Sequence, residues 1–177
     1  MSRQQDPLTI DFLLLGLIGQ NPVHAYELYK KLTKDPELKT IWTFRQSRLY
    51  AVLDKIEKNG LIKTTVDPSG QLPVRRICEL TKTGYAAFEE WLHTPTQHVN
   101  ELRSDFLAKL YFLKDRPEAE RRGVIDAQIV VAEKWYANAS KKLKEYSDPA
   151  SYLYTIYSFR AHSIEAALAW LNERKEI

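Results

Sequence analysis

A single cysteine, Cys78, stands in 177 residues. It cannot close an intramolecular disulfide, which excludes a disulfide-stapled secreted scaffold and favours a reducing cytosol. Cys78 and the scattered His24, His93, His98 and His162 offer no metal-ligand spacing, so no metal site is expected. Only six glycines and eight prolines are present, which excludes collagen-like and low-complexity readings. Long apolar runs are missing too: the longest, Phe12 to Gly19, has about eight residues, against roughly 20 for a membrane span. No basic-then-apolar leader precedes it, so the expectation is a soluble, cytoplasmic protein with no membrane partner. Also absent are a glycine-rich phosphate loop, a nucleophile-base set and a paired-carboxylate constellation. The chain is therefore expected to be no enzyme and to need no cofactor.

What is present is a chain 44% hydrophobic and 28% charged. That suffices for one core-bearing domain with an added helical element, and not for two full-sized domains. The net charge of +3 is too small to argue for a nucleic-acid partner by itself, so its distribution must carry that argument. From Arg45 to Lys82 there are eight Lys and Arg against four Asp and Glu. That window's surplus of four exceeds the whole chain's, so the basic charge sits in one place.

Apolar residues from Leu8 to Ile18 recur at helical spacing and nearly all round, as in a buried helix, with a subunit boundary as one place to bury it. Asn21-Pro22 ends it. His24 to Leu32 reads as a second helix with Ala25, Leu28 and Leu32 on one side, fading near Asp35-Pro36 into a looser stretch. Ser47 suits the N-cap of a third helix whose inner face is Leu49, Val52, Leu53 and Ile56, ended by Asn59-Gly60. The period then drops to 2: Leu61 to Val66 and Val74 to Leu80 read as two strands joined by the turn residues of Asp67 to Pro73. Thr81 suits the cap of a fourth helix, Lys82 to His93, with Tyr85, Phe88, Trp91 and Leu92 turned inward.

Beyond Pro95 the strand signal vanishes. Leu102 to Leu113 predicts a short helix, and Pro117 opens a long one to about Tyr146 with a stripe of Val124, Gln128, Val131, Trp135, Ala139, Lys142 and Tyr146. Asp148-Pro149 separates it from a last helix lined by Leu153, Ile156, Tyr157, Ile164, Leu168 and Leu171. Two helices so long need a partner surface, most simply a second copy of the chain.

Three helices, a hairpin and a fourth helix, in that order, spell a winged helix-turn-helix. The fold expected is mostly α with a small β-hairpin: a winged helix-turn-helix DNA-binding domain over 1–95 and a helical dimerisation region over 96–177. In this architecture the third helix enters the major groove. Arg45, Gln46, Ser47 and Arg48 cluster at its leading end, where Arg suits the paired acceptors of guanine, Gln those of adenine, and Ser a phosphate oxygen. Lys55, Arg75 and Arg76 are suited to neutralising phosphates. Arg75 and Arg76 point to opposite faces of their strand, because side chains alternate.

At these residues the chain resembles the PadR family of bacterial transcriptional regulators. The matching segments are His24-Ala25-Tyr26-Glu27-Leu28-Tyr29-Lys30, then Arg48-Leu49-Tyr50-Ala51-Val52-Leu53 through Gly60-Leu61-Ile62, and Arg75-Arg76 through Leu80-Thr81-Lys82-Thr83-Gly84. The resemblance implies a dimeric regulator of the variety with two long C-terminal helices. By matching position it makes Tyr26, Ser47, Arg48, Tyr50, Arg75 and Arg76 DNA-contact candidates. Ala25 and Ala51 stand where the family often has Gly and Pro, which leaves helices intact. Cys78 replaces a usual Tyr, which bears on any contact made by that Tyr.

The expected function is sequence-specific DNA binding by a homodimeric repressor on an inverted-repeat operator. A small aromatic effector is an added expectation, because the C-terminal region is rich in aromatic residues; Trp135, Tyr136 and Tyr157 are its candidate contacts. The alternative is a winged-helix module for protein-protein contact without DNA specificity. A MarR-type arrangement fits less well, because almost all the extra helix lies C-terminal.

Overall fold

The computed structural model describes residues 9–66 and 76–176. The chain divides into two compact units, Met1–His93 and Thr94–Ile177.

The first unit runs α1 (Thr9–Gln20), β1 (Val23–His24), α2 (Ala25–Lys34), α3 (Pro36–Ile41), α4 (Gln46–Lys58), β2 (Ile62–Val66), β3 (Arg76–Leu80) and α5 (Lys82–His93). It is a winged helix-turn-helix. α1 is apolar on every side because it lies in the middle: Leu13, Leu14 and Leu15 are wholly covered, and α4, α5 and β3 pack on it. One chain supplies that cover, so no second subunit is needed for it. Phe12 stacks on Trp91 of α5 at 5.1 Å between ring centres, fixing the angle between the two helices.

Two elements depart from the sequence reading. The looser stretch after α2 contains a real helix, α3, because the Asp35 carboxylate accepts from Glu37 N at 2.8 Å and Leu38 N at 3.2 Å while Pro36 opens the first turn. The hairpin is also joined by a third strand: β1 pairs antiparallel with β3, Val23 opposite Cys78 and His24 opposite Ile77, so the order is β1-β3-β2. Two residues are too few to show a period. β2 and β3 pair in register from Ile62 opposite Leu80 to Val66 opposite Arg76. The expected turn Asp67 to Pro73, and Arg75 with it, lie outside the described residues.

Thr81 fastens α5 to the end of α4. Its hydroxyl donates to Gly60 O at 2.7 Å and accepts from Gly84 N at 3.0 Å. Gly60 takes a left-handed φ of 70°, which turns the chain out of α4 at no steric cost. Gly84 has a different reason to be glycine: a Cβ there would stand 1.9 Å from Leu61 O. On α5, Phe88, Trp91 and Leu92 are buried as expected, but Tyr85 is 56% exposed; it sits one residue past the turn that Thr81 and Gly84 press against β2, on the outer side.

In the second unit a 3-10 turn (Val99–Glu101) and a π-helical turn (Leu102–Phe106) lead into α6 (Leu107–Leu113), followed by α7 (Glu118–Glu145) and α8 (Tyr152–Lys175). The short helix expected from Leu102 therefore begins with a wider turn. α7 and α8 pack antiparallel: Tyr146 stacks on Tyr157 at one end, and Lys175 pairs with Asp126 at 2.7 Å at the other. Between them Ala139, Ala161 and Ile164 form a core flanked by Trp135, Leu143 and Leu168. The buried face of α7 is Val124, Ile125, Gln128, Ile129, Ala132 and Ala139, rotated from the predicted stripe, in which Val131, Lys142 and Tyr146 are only half-buried. Leu153, expected inward, is 43% exposed in the first turn of α8. Gln128 is buried because its side chain satisfies Thr96, accepting from Thr96 N at 2.8 Å and donating to Thr96 O at 3.2 Å. Lys109, also buried, pairs with Asp105 at 2.9 Å and donates to Thr94 O. Burial lowers its pKa, against the pull of Asp105.

Candidate nucleic-acid interface

α4 buries Leu49, Val52, Leu53 and Ile56, the face expected for the third helix, and shows the other to solvent. It starts earlier than Ser47: Arg45 is the N-cap residue, with extended backbone, and its carbonyl accepts from Arg48 N and Leu49 N at 3.1 and 3.2 Å. Phe44, buried, sets the direction from which the chain enters. Ser47 is thus a first-turn residue, and no side chain caps the helix. The leading N–H groups point outward with the positive end of the helix dipole behind them. Thr43, Arg45, Ser47 and Arg48 line a shallow depression there of about 450 Å³. Two guanidiniums, a hydroxyl and open backbone N–H groups are the chemistry that holds a phosphate oxygen.

A quarter-turn round the helix the surface changes. Gln46 and Tyr50 face a cavity of about 570 Å³ whose other walls include Tyr26 at the start of α2 and Arg76 and Cys78 on β3. Four of the expected contact residues, Tyr26, Gln46, Tyr50 and Arg76, are therefore brought together. Tyr26 and Tyr50 are 59% and 42% exposed, so neither ring is spent on the core.

Lys55, the remaining phosphate-contact candidate on α4, is tied back into the domain. It donates to Asp11 Oδ2 of α1 at 2.6 Å, with only 26% of its side chain exposed against 2% for Asp11. An aspartate inside the apolar α1 needs a cation, and Lys55 on the facing helix supplies it. Cys78 is a buried thiol; burial, with the Glu57 charge adding and Arg76 opposing, pushes its pKa up to about 11.

In the second unit Trp135 and Tyr157 line one cavity of about 870 Å³ between α7, α8 and the segment Gln97 to Asn100. Tyr136 is not among its lining, since one residue on from Trp135 is a hundred degrees round the helix. Tyr152 and Phe159, two more of the aromatics that make this region aromatic-rich, belong to it, and so does Arg160, which the sequence reading did not single out. The spacing of Tyr152, Ile156 and Phe159, four and three apart, was the available signal.

Helices α1 to α4, a wing of two paired strands and an exposed basic helix end define the winged-helix class. Residues 14–90 match the transcriptional regulator PadR-like family. That family is one of transcriptional regulators. Among relatives, the negative transcriptional regulator PadR of Bacillus subtilis (strain 168) is 24% identical over 106 residues, 59% of this chain. The match spans 56% of that relative's length. Among solved structures, B. subtilis PadR in complex with operator DNA is 18% identical, covering 96% of this chain and 98% of that one at a TM-score of 0.46. The same protein in complex with p-coumaric acid is 17% identical over 96% and 98%, at a TM-score of 0.44. No helix among the described residues is long and apolar enough to cross a membrane.

Proposed function

We propose that the chain is a sequence-specific DNA-binding repressor, acting as a homodimer on an inverted-repeat operator in the cytoplasm. The observation that carries this is the uncapped, exposed leading end of α4 with Arg45, Gln46, Ser47 and Arg48 around it, inside a domain of a regulator family. Arg45, Arg48 and Gln46 read base edges, Ser47 meets a phosphate, and Tyr26, Tyr50, Arg76 and Arg75 hold the flanking backbone. Residues 1–95 would do this work and 96–177 would dimerise. Tyr152 and Phe159, 77% and 74% exposed on α8, are apolar surface for a second copy to cover. A two-fold dimer sets the half-sites one helical turn, about 34 Å, or a multiple of it apart.

The test is selection from a random DNA pool by the purified chain. Enrichment of a palindrome supports the reading; no preference over random DNA at physiological salt defeats it and favours the protein-contact module. Arg48→Ala is expected to weaken binding to the selected site by about tenfold to a hundredfold and to relax one base position.

The effector reading rests on the cavity of the second unit. Its aromatic walls, with Lys142 and Arg160 and no carboxylate among its lining, suit a flat aromatic acid. Calorimetry with p-coumaric acid should detect binding that Trp135→Ala removes. A ligand that binds with and without operator equally well would not release it.

A further inference from the structure

We propose that the cavity between α2, α4 and β3 is a binding site for a small hydrophobic organic cation. α4 carries two different surfaces. Its leading end is basic, whereas Gln46, Tyr50, Asp54 and Glu57, spaced four, four and three apart, form one stripe that lines this cavity. Helical geometry puts such residues on a single face. Below the stripe the floor is apolar and dry: Ala25, Leu53 and Cys78 are 8%, 5% and 1% exposed. The two tyrosines stand at the rim with their rings uncovered.

The charge of the wall is opposite in sign to that of the helix end. Glu27, Asp54 and Glu57 line it against Arg76 as the one permanent cation, with His24, Cys78 and the two tyrosines the other titratable groups. Glu57 accepts the Thr64 hydroxyl, and Asp54 makes no ion pair among the described residues. Glu27 shares Lys30 at 3.4 Å, a solvent-exposed pair that contributes little. Three carboxylates against one guanidinium disfavour an anion inside the cavity. An apolar body would cover the floor, its positive charge would lie over the Tyr26 and Tyr50 rings, and the carboxylates would hold it from behind. The volume of about 570 Å³ lies within the range of small-molecule sites. An occupant would cover Tyr26 and Tyr50, so it would compete with DNA wherever those rings are used; only this last consequence rests on the proposed function.

The test is calorimetry of the full chain, without DNA, using benzyltriethylammonium chloride, with 3-phenylpropanoate as an anion of similar size. The cation is expected to bind once per chain and the anion not at all. Asp54→Asn, a change on the exposed face, should cut affinity about fivefold, the double variant Asp54→Asn/Glu57→Gln further, and Tyr50→Leu by a similar factor. Thermal melts confirm that the variants are folded. Amide shifts on titration should move at 25–27, 50–57 and 76–78. No binding of the cation, equal binding of the anion, or affinity unchanged in the double variant overturns the proposal. Cation binding that follows these charges in a chain with no operator preference supports the cavity and defeats the DNA reading instead, so the two fail separately.

Discussion

Gly84 shows how a short motif follows from packing. The run Leu80-Thr81-Lys82-Thr83-Gly84 reads as a family mark, yet its parts have separate mechanical duties: Thr81 binds Gly60 O, and Gly84 leaves room for Leu61 O. Gly84→Ala is expected to cost about 3 kcal/mol, read as a lower urea midpoint with unchanged slope. Lys55 carries a similar load. Lys55→Ala removes the cation paired with the buried Asp11 and is expected to destabilise by about 3 kcal/mol, whereas replacing both partners by leucine and methionine should restore most of the loss. Chemical denaturation of the three variants checks this. The Cys78 thiol, held at about 11 instead of the ordinary 9.0, should resist a thiol reagent at pH 8 in the native chain and react fully in denaturant. Because folding favours the protonated thiol, its contribution to stability is complete below pH 9 and declines as the pH rises towards 11.

At the scale of elements, the long signals were legible and the short ones were not. α1, α4, α5, α7 and α8 each span three turns or more, long enough for a 3.6-residue period to repeat. β1 has two residues and no period, and its existence depends on β3, more than fifty positions away. α3 was hidden by Asp35-Pro36, a pair that ends one helix and begins the next; the capping carboxylate decides, and sequence alone does not show which way it turns. In the site, Arg45, Gln46, Ser47 and Arg48 could be located from the helix start, while Lys55 could not be separated from them because its fate depends on an aspartate in α1. Tyr136 failed for want of phase: neighbouring aromatics on a helix face different ways. The clamp on the segment after α5 was invisible too: Gln128 could be placed on the stripe of its helix, but not its pairing with Thr96, 32 positions away, and Lys109 looks from sequence like a solvent-facing residue. Gln128→Leu leaves Thr96 N–H unsatisfied and is expected to cost about 2 kcal/mol, measured by thermal melting.

The whole molecule joins a unit that depends on distant pairings to one built from neighbours. Salt should report on the first. If Arg75 and Arg76 neutralise phosphates, the slope of log affinity against log salt should fall in magnitude by about 0.9 for each one removed. Light scattering across a dilution series reports on the second, with twice the chain mass expected. The pairing of Val23 with Cys78 also has a meaning in time. The ribosome makes one side of that ladder several seconds before the other, at a typical 5–20 residues per second. Through that interval Leu13, Leu14 and Leu15 have no sheet to lie against, and a nascent chain stalled short of Leu80 would present chaperones with a greasy, unfinished N-terminal half.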